Sequence, residues 1–150
     1  MSSSARFVMP ASGSAPELLV DTSAAVALLV VDHDHHEEVR RRIGDLRLGL
    51  AGHAAFETFS VLTRLPPPAR RTAAAVTRLL AANFPGSRFL GAQAAVELLG
   101  ELDALGVSGG AVYDALVGGA AREHGFRLAT RDRRALETYR ALDIGVELLA

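Results

Sequence analysis

The chain has 150 residues, of which 49% are apolar and 22% charged, and its formal net charge at pH 7 is −1. This length and composition predict one soluble globular domain with its own core, and the near-neutral charge argues against a generally basic nucleic-acid-binding surface. Cysteine is absent, which excludes disulfides and thiolate metal sites, and no apolar run approaches the roughly 20 residues of a membrane helix. These features fit a cytoplasmic protein.

The N-terminal stretch MSSSARFVMPASGSAP is rich in Ser, Ala, Pro and Gly and lacks the apolar stretch of a signal peptide. We interpret residues 1–16 as a flexible extension and residues 17–150 as the folded domain. Met9 is an alternative start of translation.

Short apolar runs and helical patterns alternate along the rest of the chain. Strands are predicted at 18–20, 47–51, 87–91, 127–130 and 145–149. Helices are predicted at about 22–30, 34–43, 52–65, 69–82, 92–105, 111–124 and 133–140. This order predicts an α/β domain with a mainly parallel sheet covered on both faces.

Local signals mark several helix ends. Thr22 or Ser23 is the predicted N-cap of the first helix. Asp34 and Glu37 have capping-box spacing at the start of the second helix, which is expected to be exposed. Gly125 is expected to end the helix over 111–124.

Four acids stand out by their surroundings: Asp21, Glu57, Asp114 and Asp132. Asp21 and Asp132 each follow a predicted strand, at the edge where open parallel sheets bind ligands. Glu57 and Asp114 lie on the apolar faces of predicted helices, where an unpaired acid is uncommon. Any one of them alone is explained better as a turn former, a helix cap or the partner of an arginine.

Together at one end of a sheet, however, four carboxylates repel one another, which raises their pKa values. A divalent cation relieves that repulsion, and all-oxygen ligands suit Mg²⁺ or Mn²⁺. Such a site can activate water and stabilise the charge that develops on a phosphodiester. The acids therefore favour hydrolysis of a nucleic-acid backbone.

Four segments in order, LLVDTSAAVALL, the Glu of HAAFETFSVL, YDALVGGAAREHG and LATRD, resemble the successive motifs of the PIN domain. The likeness is specifically to VapC-type toxins of bacterial toxin–antitoxin pairs, and it covers residues 18–150. It implies a three-layer sandwich in which helices flank a mainly parallel central sheet. It also implies a Mg²⁺-dependent endoribonuclease, with Mn²⁺ as an alternative ion, that cuts structured RNA such as tRNA or rRNA.

The resemblance places the catalytic, metal-binding set at Asp21, Glu57, Asp114 and Asp132. It gives supporting roles to the hydroxyls of Thr22 or Ser23 and of Thr130, for which helix capping is the alternative. It further implies a VapB-type antitoxin whose C-terminal segment occupies the active-site groove, a homodimer, and a toxin–antitoxin hetero-oligomer. One departure from the family is Gly118-Gly119, which is expected to interrupt a helix at about 1 kcal/mol per glycine.

Two arginines, Arg131 and Arg133, flank the last acid and are the candidates for contacts with RNA phosphates. Their alternative is pairing with nearby acids. Tyr113 is a core or rim aromatic that could stack on a base, and His53 lies near a helix end, where a dipole or hydrogen-bonding role is favoured over catalysis.

Three alternative interpretations remain, each with a feature of the sequence that bears on it. In DHDHHEE, His35 and His36 are candidate ligands of a transition metal. However, neighbouring residues of a helix point about 100° apart, and a capped helix start explains the stretch. A response-regulator receiver domain also places acids and Mg²⁺ at strand ends, but it needs a lysine, and all 16 basic residues here are arginine. A catalytically inactive PIN-like binding module regulated by an antitoxin would be favoured if one of the four acids were missing.

Overall fold

The computed structural model describes residues 15–150. Residues 1–14 of the predicted N-terminal extension, with the alternative start at Met9, lie outside the described residues. The strands are β1 (Leu18–Val20), β2 (Leu48–Leu50), β3 (Leu128–Thr130) and β4 (Val146–Leu148). The helices are α1 (Thr22–Leu29), α2 (His36–Ile43), α3 (Ala54–Thr63), α4 (Ala73–Asn83), α5 (Ala92–Glu101), α6 (Ala111–His124) and α7 (Leu136–Ala141), with a 3₁₀ turn at Arg133–Ala135.

The four strands are parallel and lie in the order β2-β1-β3-β4. Because neighbouring residues of a strand point to opposite faces, Leu18 and Val20 enter one apolar cluster and Leu19 enters another. The first cluster is covered by α1, α2, α3 and α4, and the second by α6 and α7. The predicted three-layer α/β sandwich with a parallel central sheet is therefore confirmed.

The strand predicted over 87–91 is wrong. This segment makes one isolated bridge, between Ala51 and Arg88, beside the edge strand β2. The physical reason is Ser87, whose Oγ accepts a hydrogen bond from the backbone N–H of Leu50 at 2.9 Å and donates to the carbonyl of Phe84 at 2.8 Å. The hydroxyl of Ser87 thus takes the backbone N–H of Leu50 that a carbonyl of a neighbouring strand would accept from, so the segment does not form a regular strand beside β2.

Two predicted helix starts are also wrong. The N-cap of α1 is Asp21, whose carboxylate accepts from the backbone N–H of Ala24, rather than Thr22 or Ser23. The residue preceding α2 is His35, which makes no side-chain capping bond, so the capping box of Asp34 and Glu37 does not form. The second helix is also not simply exposed, because His36, Val39 and Ile43 are buried.

The long helix α6 is not interrupted at Gly118-Gly119. A Cβ on Gly118 would lie 2.7 Å from Cδ1 of Leu142, and one on Gly119 would lie 2.9 Å from Cδ2 of Leu98. The two glycines therefore allow α6 to pack closely against Leu142, at the C-terminal end of α7, and against Leu98 of α5. The sequence pattern did not indicate this packing. Gly125 ends the helix in the left-handed region at φ 73°, as predicted.

Over residues 15–150, no helix combines the length and the apolar character needed to cross a membrane.

Candidate active site at the carboxyl edge of the sheet

Asp21 lies directly after β1, and Asp132 lies two residues after the end of β3, the neighbouring central strand that pairs with β1. Each also caps the helical turn that follows it. Oδ1 of Asp21 accepts from the N–H of Ala24 at 3.1 Å, and Oδ1 of Asp132 accepts from the N–H of Arg134 at 2.9 Å. The capping role that explains each acid alone therefore also holds the two carboxylates at the same edge of the sheet.

Asp21 is the most tightly held of the four acids and is only 4% exposed. The hydroxyl of Ser23 donates to its Oδ1 at 2.7 Å, and the phenol of Tyr139 donates to its Oδ2 at 2.9 Å. Burial raises the pKa of Asp21, and hydrogen bonds from Thr130, Ser23, Ala24 and Tyr139 partly oppose that rise. The carboxylate is thus desolvated but has donors on both oxygens.

Glu57 and Asp114 lie in the first turns of α3 and α6, where the helix dipole favours an acid. Thr22 donates to Oε2 of Glu57 at 3.3 Å, and Nε2 of His53 lies 3.3 Å from Oε1. Burial, followed by the charges of Asp132, Asp21 and Glu57, raises the pKa of Asp114 to about 6. The fold therefore brings the four predicted acids into one electrostatic environment.

The predicted supporting hydroxyls link the loops that follow β1 and β3. Oγ of Ser23 lies 3.3 Å from Oγ1 of Thr130 and accepts from the N–H of Arg131 at 2.8 Å. Oγ1 of Thr130 accepts from the N–H of Asp132 at 3.0 Å. Together with the contact between Thr22 and Glu57, these bonds place all three hydroxyl residues against the acids or the loops that carry them.

The two candidate RNA-binding arginines have different environments. Arg133 is exposed, whereas Arg131 is partly buried and its Nε has no hydrogen-bond partner within the described part of the chain. Burial, followed by the charge of Arg131, lowers the pKa of His33. Neither arginine pairs with an acid among residues 15–150; it is Arg134 that approaches Asp132, at 3.5 Å and with a 93% exposed side chain.

A cleft of about 390 Å³ opens beside the acids and is lined by His53, Glu57, Gly110, Tyr113 and Asp114. The ring of Tyr113 stacks on that of His53 with a centroid distance of 5.3 Å and an interplanar angle of 26°. His53 therefore contacts a predicted site acid, a role that its spacing of four residues from Glu57 could have indicated.

Tyr139 is the contact that sequence reasoning missed. It is 1% exposed, and burial together with the charge of Asp21 raises its pKa, so its hydroxyl stays protonated and donates. No local pattern marks this residue, because 118 positions separate it from Asp21.

The donor set fits a hard divalent cation. The four acids offer carboxylate oxygens, and a cation would relieve the repulsion between them that, after burial, raises the pKa of Asp114. As the side chains stand, no three Asp, Glu or His residues within 15–150 are close enough to share one ion. Mg²⁺ accommodates such an open arrangement, because it keeps several waters and binds through one or two carboxylates.

The histidines of the DHDHHEE stretch have other contacts. Nδ1 of the buried His36 is hydrogen-bonded with the carbonyl of Ala27 at 3.0 Å. The rings of His33 and His35 lie 5.9 Å apart at the surface of the loop before α2. His36 therefore acts as a link between α2 and α1.

Comparison with known proteins connects this fold to characterised families. The PIN domain family matches residues 18–141. Ribonuclease VapC27 of Mycobacterium tuberculosis is 43% identical over 135 residues, which cover 90% of this chain and 98% of that protein. Ribonuclease VapC40 of the same species is 45% identical over 134 residues, covering 86% of this chain and 96% of that protein.

Solved structures share the fold at lower identity. VapC20 of M. tuberculosis, a sarcin–ricin-loop-cleaving toxin, superposes with a TM-score of 0.63 at 20% identity, covering 79% of this chain and 92% of its own. DNA-bound VapBC from Salmonella typhimurium superposes with a TM-score of 0.64 at 20% identity, covering 89% of this chain and 98% of the matched chain. The family match over most of the chain and the identity to two ribonucleases together show that this chain belongs to the PIN-domain family, among its VapC ribonuclease toxins.

Proposed function

We propose that this protein is a Mg²⁺-dependent endoribonuclease toxin of a type II toxin–antitoxin system, with Mn²⁺ as an alternative ion. The observation that carries the proposal is the convergence of Asp21, Glu57, Asp114 and Asp132. After burial, the charges of the other three acids contribute to raising the pKa of Asp114 to about 6. A protein keeps such a self-repelling set only where something neutralises it. The same four acids form the proposed catalytic and metal-binding set.

When bound, the cation supplies an activated water and stabilises charge on the phosphodiester. The chain's own residues prepare the site for it. Asp21 and Asp132 are held rigidly as helix caps, and Tyr139 orients the Oδ2 side of Asp21. Glu57 is held between Thr22 and His53. Without a cation, Asp114 retains a proton on its carboxyl below a pH of about 6.

The proposed substrate is structured RNA, such as tRNA or rRNA. One relative of the same fold is a sarcin–ricin-loop-cleaving toxin, which supports this class. Arg131 and Arg133 are the proposed phosphate contacts, because they flank Asp132 and neither is paired with an acid within the described residues.

The proposed regulator is a VapB-type antitoxin whose C-terminal segment occupies the acidic groove. Support comes from neighbours of the same fold that are VapBC complexes, such as the DNA-bound complex from S. typhimurium. We also propose a homodimer of this chain within a toxin–antitoxin hetero-oligomer.

Cleavage of total RNA by the purified, antitoxin-free chain tests the activity. Reactions with Mg²⁺ and with EDTA are compared for wild type, Asp114→Asn and the matched control Asp103→Asn, whose carboxylate is exposed between α5 and α6. Discrete fragments that need Mg²⁺, that Asp114→Asn does not produce and that Asp103→Asn does produce are expected. A folded wild type that cleaves no RNA would instead favour the inactive, antitoxin-regulated binding module.

A further inference from the structure

An exposed aromatic ring lines the acidic cleft and stacks on a neighbouring ring. Tyr113 is 55% exposed, yet its ring stacks on His53 at 5.3 Å. His53 is in turn held by Glu57, with Nε2 3.3 Å from Oε1. Tyr113 thus presents a large aromatic surface to solvent while its ring packs on a side chain that contacts Glu57.

The aromatic pair and two of the acids line the same cleft of about 390 Å³. Glu57 and Asp114 form its acidic wall, and Tyr113 and His53 form its aromatic wall. No arginine contributes to the described lining of this cleft, so no guanidinium is placed there to hold a phosphate. The uncharged part of a nucleotide, the base, is the group that suits an aromatic plane here.

We propose that the exposed face of Tyr113 stacks an unpaired base of the RNA beside the cleaved phosphodiester. His53 covers the other face of the ring and keeps its plane in place. A base within a duplex has both faces covered by its neighbours and cannot stack on a side chain unless it is extruded. The site at Tyr113 therefore accepts an unpaired base and not a paired one.

Because the acids beside Tyr113 act on RNA only if the chain is a nuclease, this base site rests on the proposed function. Binding is therefore measured separately from cleavage, using the full chain and a short, labelled, single-stranded RNA of mixed sequence, with Ca²⁺ present to neutralise the acids. Tyr113→Leu is expected to weaken binding about tenfold, within the range that stacking on one base contributes, whereas Tyr113→Phe binds as wild type does.

Phe56→Leu is the matched control. Phe56 is also an exposed aromatic beside His53, with ring centroids 6.4 Å apart, but it lines the neighbouring apolar cleft rather than the acidic one. Its substitution is expected to leave RNA binding unchanged. Equal binding by wild type and Tyr113→Leu, or equal losses in Tyr113→Leu and Phe56→Leu, would overturn the assignment of the base to Tyr113.

A second variant reports stacking directly. The chain contains no tryptophan, so Tyr113→Trp introduces a single indole at the site. Its fluorescence is expected to be quenched by the single-stranded RNA and not by the same RNA annealed to its complement. Equal quenching by both forms would refute the requirement for an unpaired base. If Tyr113→Leu weakens RNA binding but the wild type cleaves no RNA, the base site is supported and the proposed nuclease function is not.

Discussion

Replacing Tyr139 by phenylalanine removes one oxygen atom from the least exposed side of the site. The ring stays in the apolar cluster that includes Leu19 and Leu128, so packing is preserved. The lost contact is the 2.9 Å hydrogen bond to Oδ2 of Asp21, a carboxylate that is only 4% exposed. After the substitution, that oxygen has one donor fewer and no ready access to water.

The size of the stability loss in Tyr139→Phe depends on whether the acceptor, the carboxyl group of Asp21, is charged. A hydrogen bond to a charged group contributes about 1.5–3 kcal/mol, and one to a neutral group about 0.5–1.5 kcal/mol. For a chain of this size, each 1 kcal/mol lowers the melting temperature by about 2–4 °C, so Tyr139→Phe is expected to melt about 3–12 °C lower when Asp21 is ionised. Since the bond favours the ionised carboxylate, the deficit is expected to shrink as Asp21 becomes protonated at low pH.

A second effect concerns the cation. Loss of a hydrogen bond that orients a ligand commonly weakens metal affinity about 10- to 100-fold, and the same is expected for Mg²⁺ or Mn²⁺ here. Thermal melts at neutral and acidic pH measure the stability effect, and calorimetric titration with Mn²⁺ measures the affinity. Tyr113→Phe is the matched control for stability, since Tyr113 is the other tyrosine of the chain and is exposed.

If Tyr139→Phe melts at the wild-type temperature at neutral pH and binds Mn²⁺ with unchanged affinity, the hydrogen bond to Asp21 has neither effect. A lower melting temperature with unchanged affinity would leave Tyr139 a purely structural residue.

Three further changes test other parts of the structure. Gly118→Ala is expected to lose about 1–3 kcal/mol in urea unfolding because its Cβ would lie 2.7 Å from Leu142, whereas Gly100→Ala, whose Cβ would meet nothing within 4 Å, should gain up to about 1 kcal/mol. In EDTA, the pKa of Asp114 is about 6 in the folded state, against an ordinary value of 3.8. Ionising Asp114 therefore lowers the stability of the fold, with no effect below pH 3.8 and the full effect above a pH of about 6. Allowing for solvent screening of this partly exposed group, the penalty is about 1–2 kcal/mol, and Asp114→Asn should be more stable than wild type by that amount at neutral pH and equal to it at acidic pH. Asp21→Asn is expected to keep the hydrogen bond that caps α1 and to melt near wild type, whereas Asp21→Ala is expected to lose about 1–3 kcal/mol of unfolding free energy. Neither variant is expected to cleave RNA, and substantial cleavage by Asp21→Asn would count against the assignment of Asp21 to the site.

Much of the architecture could be predicted without coordinates because its signals are local. The alternation of short apolar runs with helical patterns predicted the parallel sheet, and the positions of Asp21 and Asp132 after two strands predicted that they share one edge. Their positions on the apolar faces of predicted helices singled out Glu57 and Asp114. These are statements about spacing, which a chain carries whether or not it is folded.

Contacts between distant segments decided the rest. Ser87 replaced a strand by a single bridge because its hydroxyl reaches Leu50, and Gly118 was accommodated within α6 because Leu142 packs against it. The raised pKa of Asp114 and the bond from Tyr139 to Asp21 depend on which groups fold together and exclude water. The sequence alone therefore determined where the four acids lie along the strands and helices. The tertiary structure decided how they are desolvated, oriented and flanked by aromatic rings, because those properties arise from contacts that no local pattern encodes.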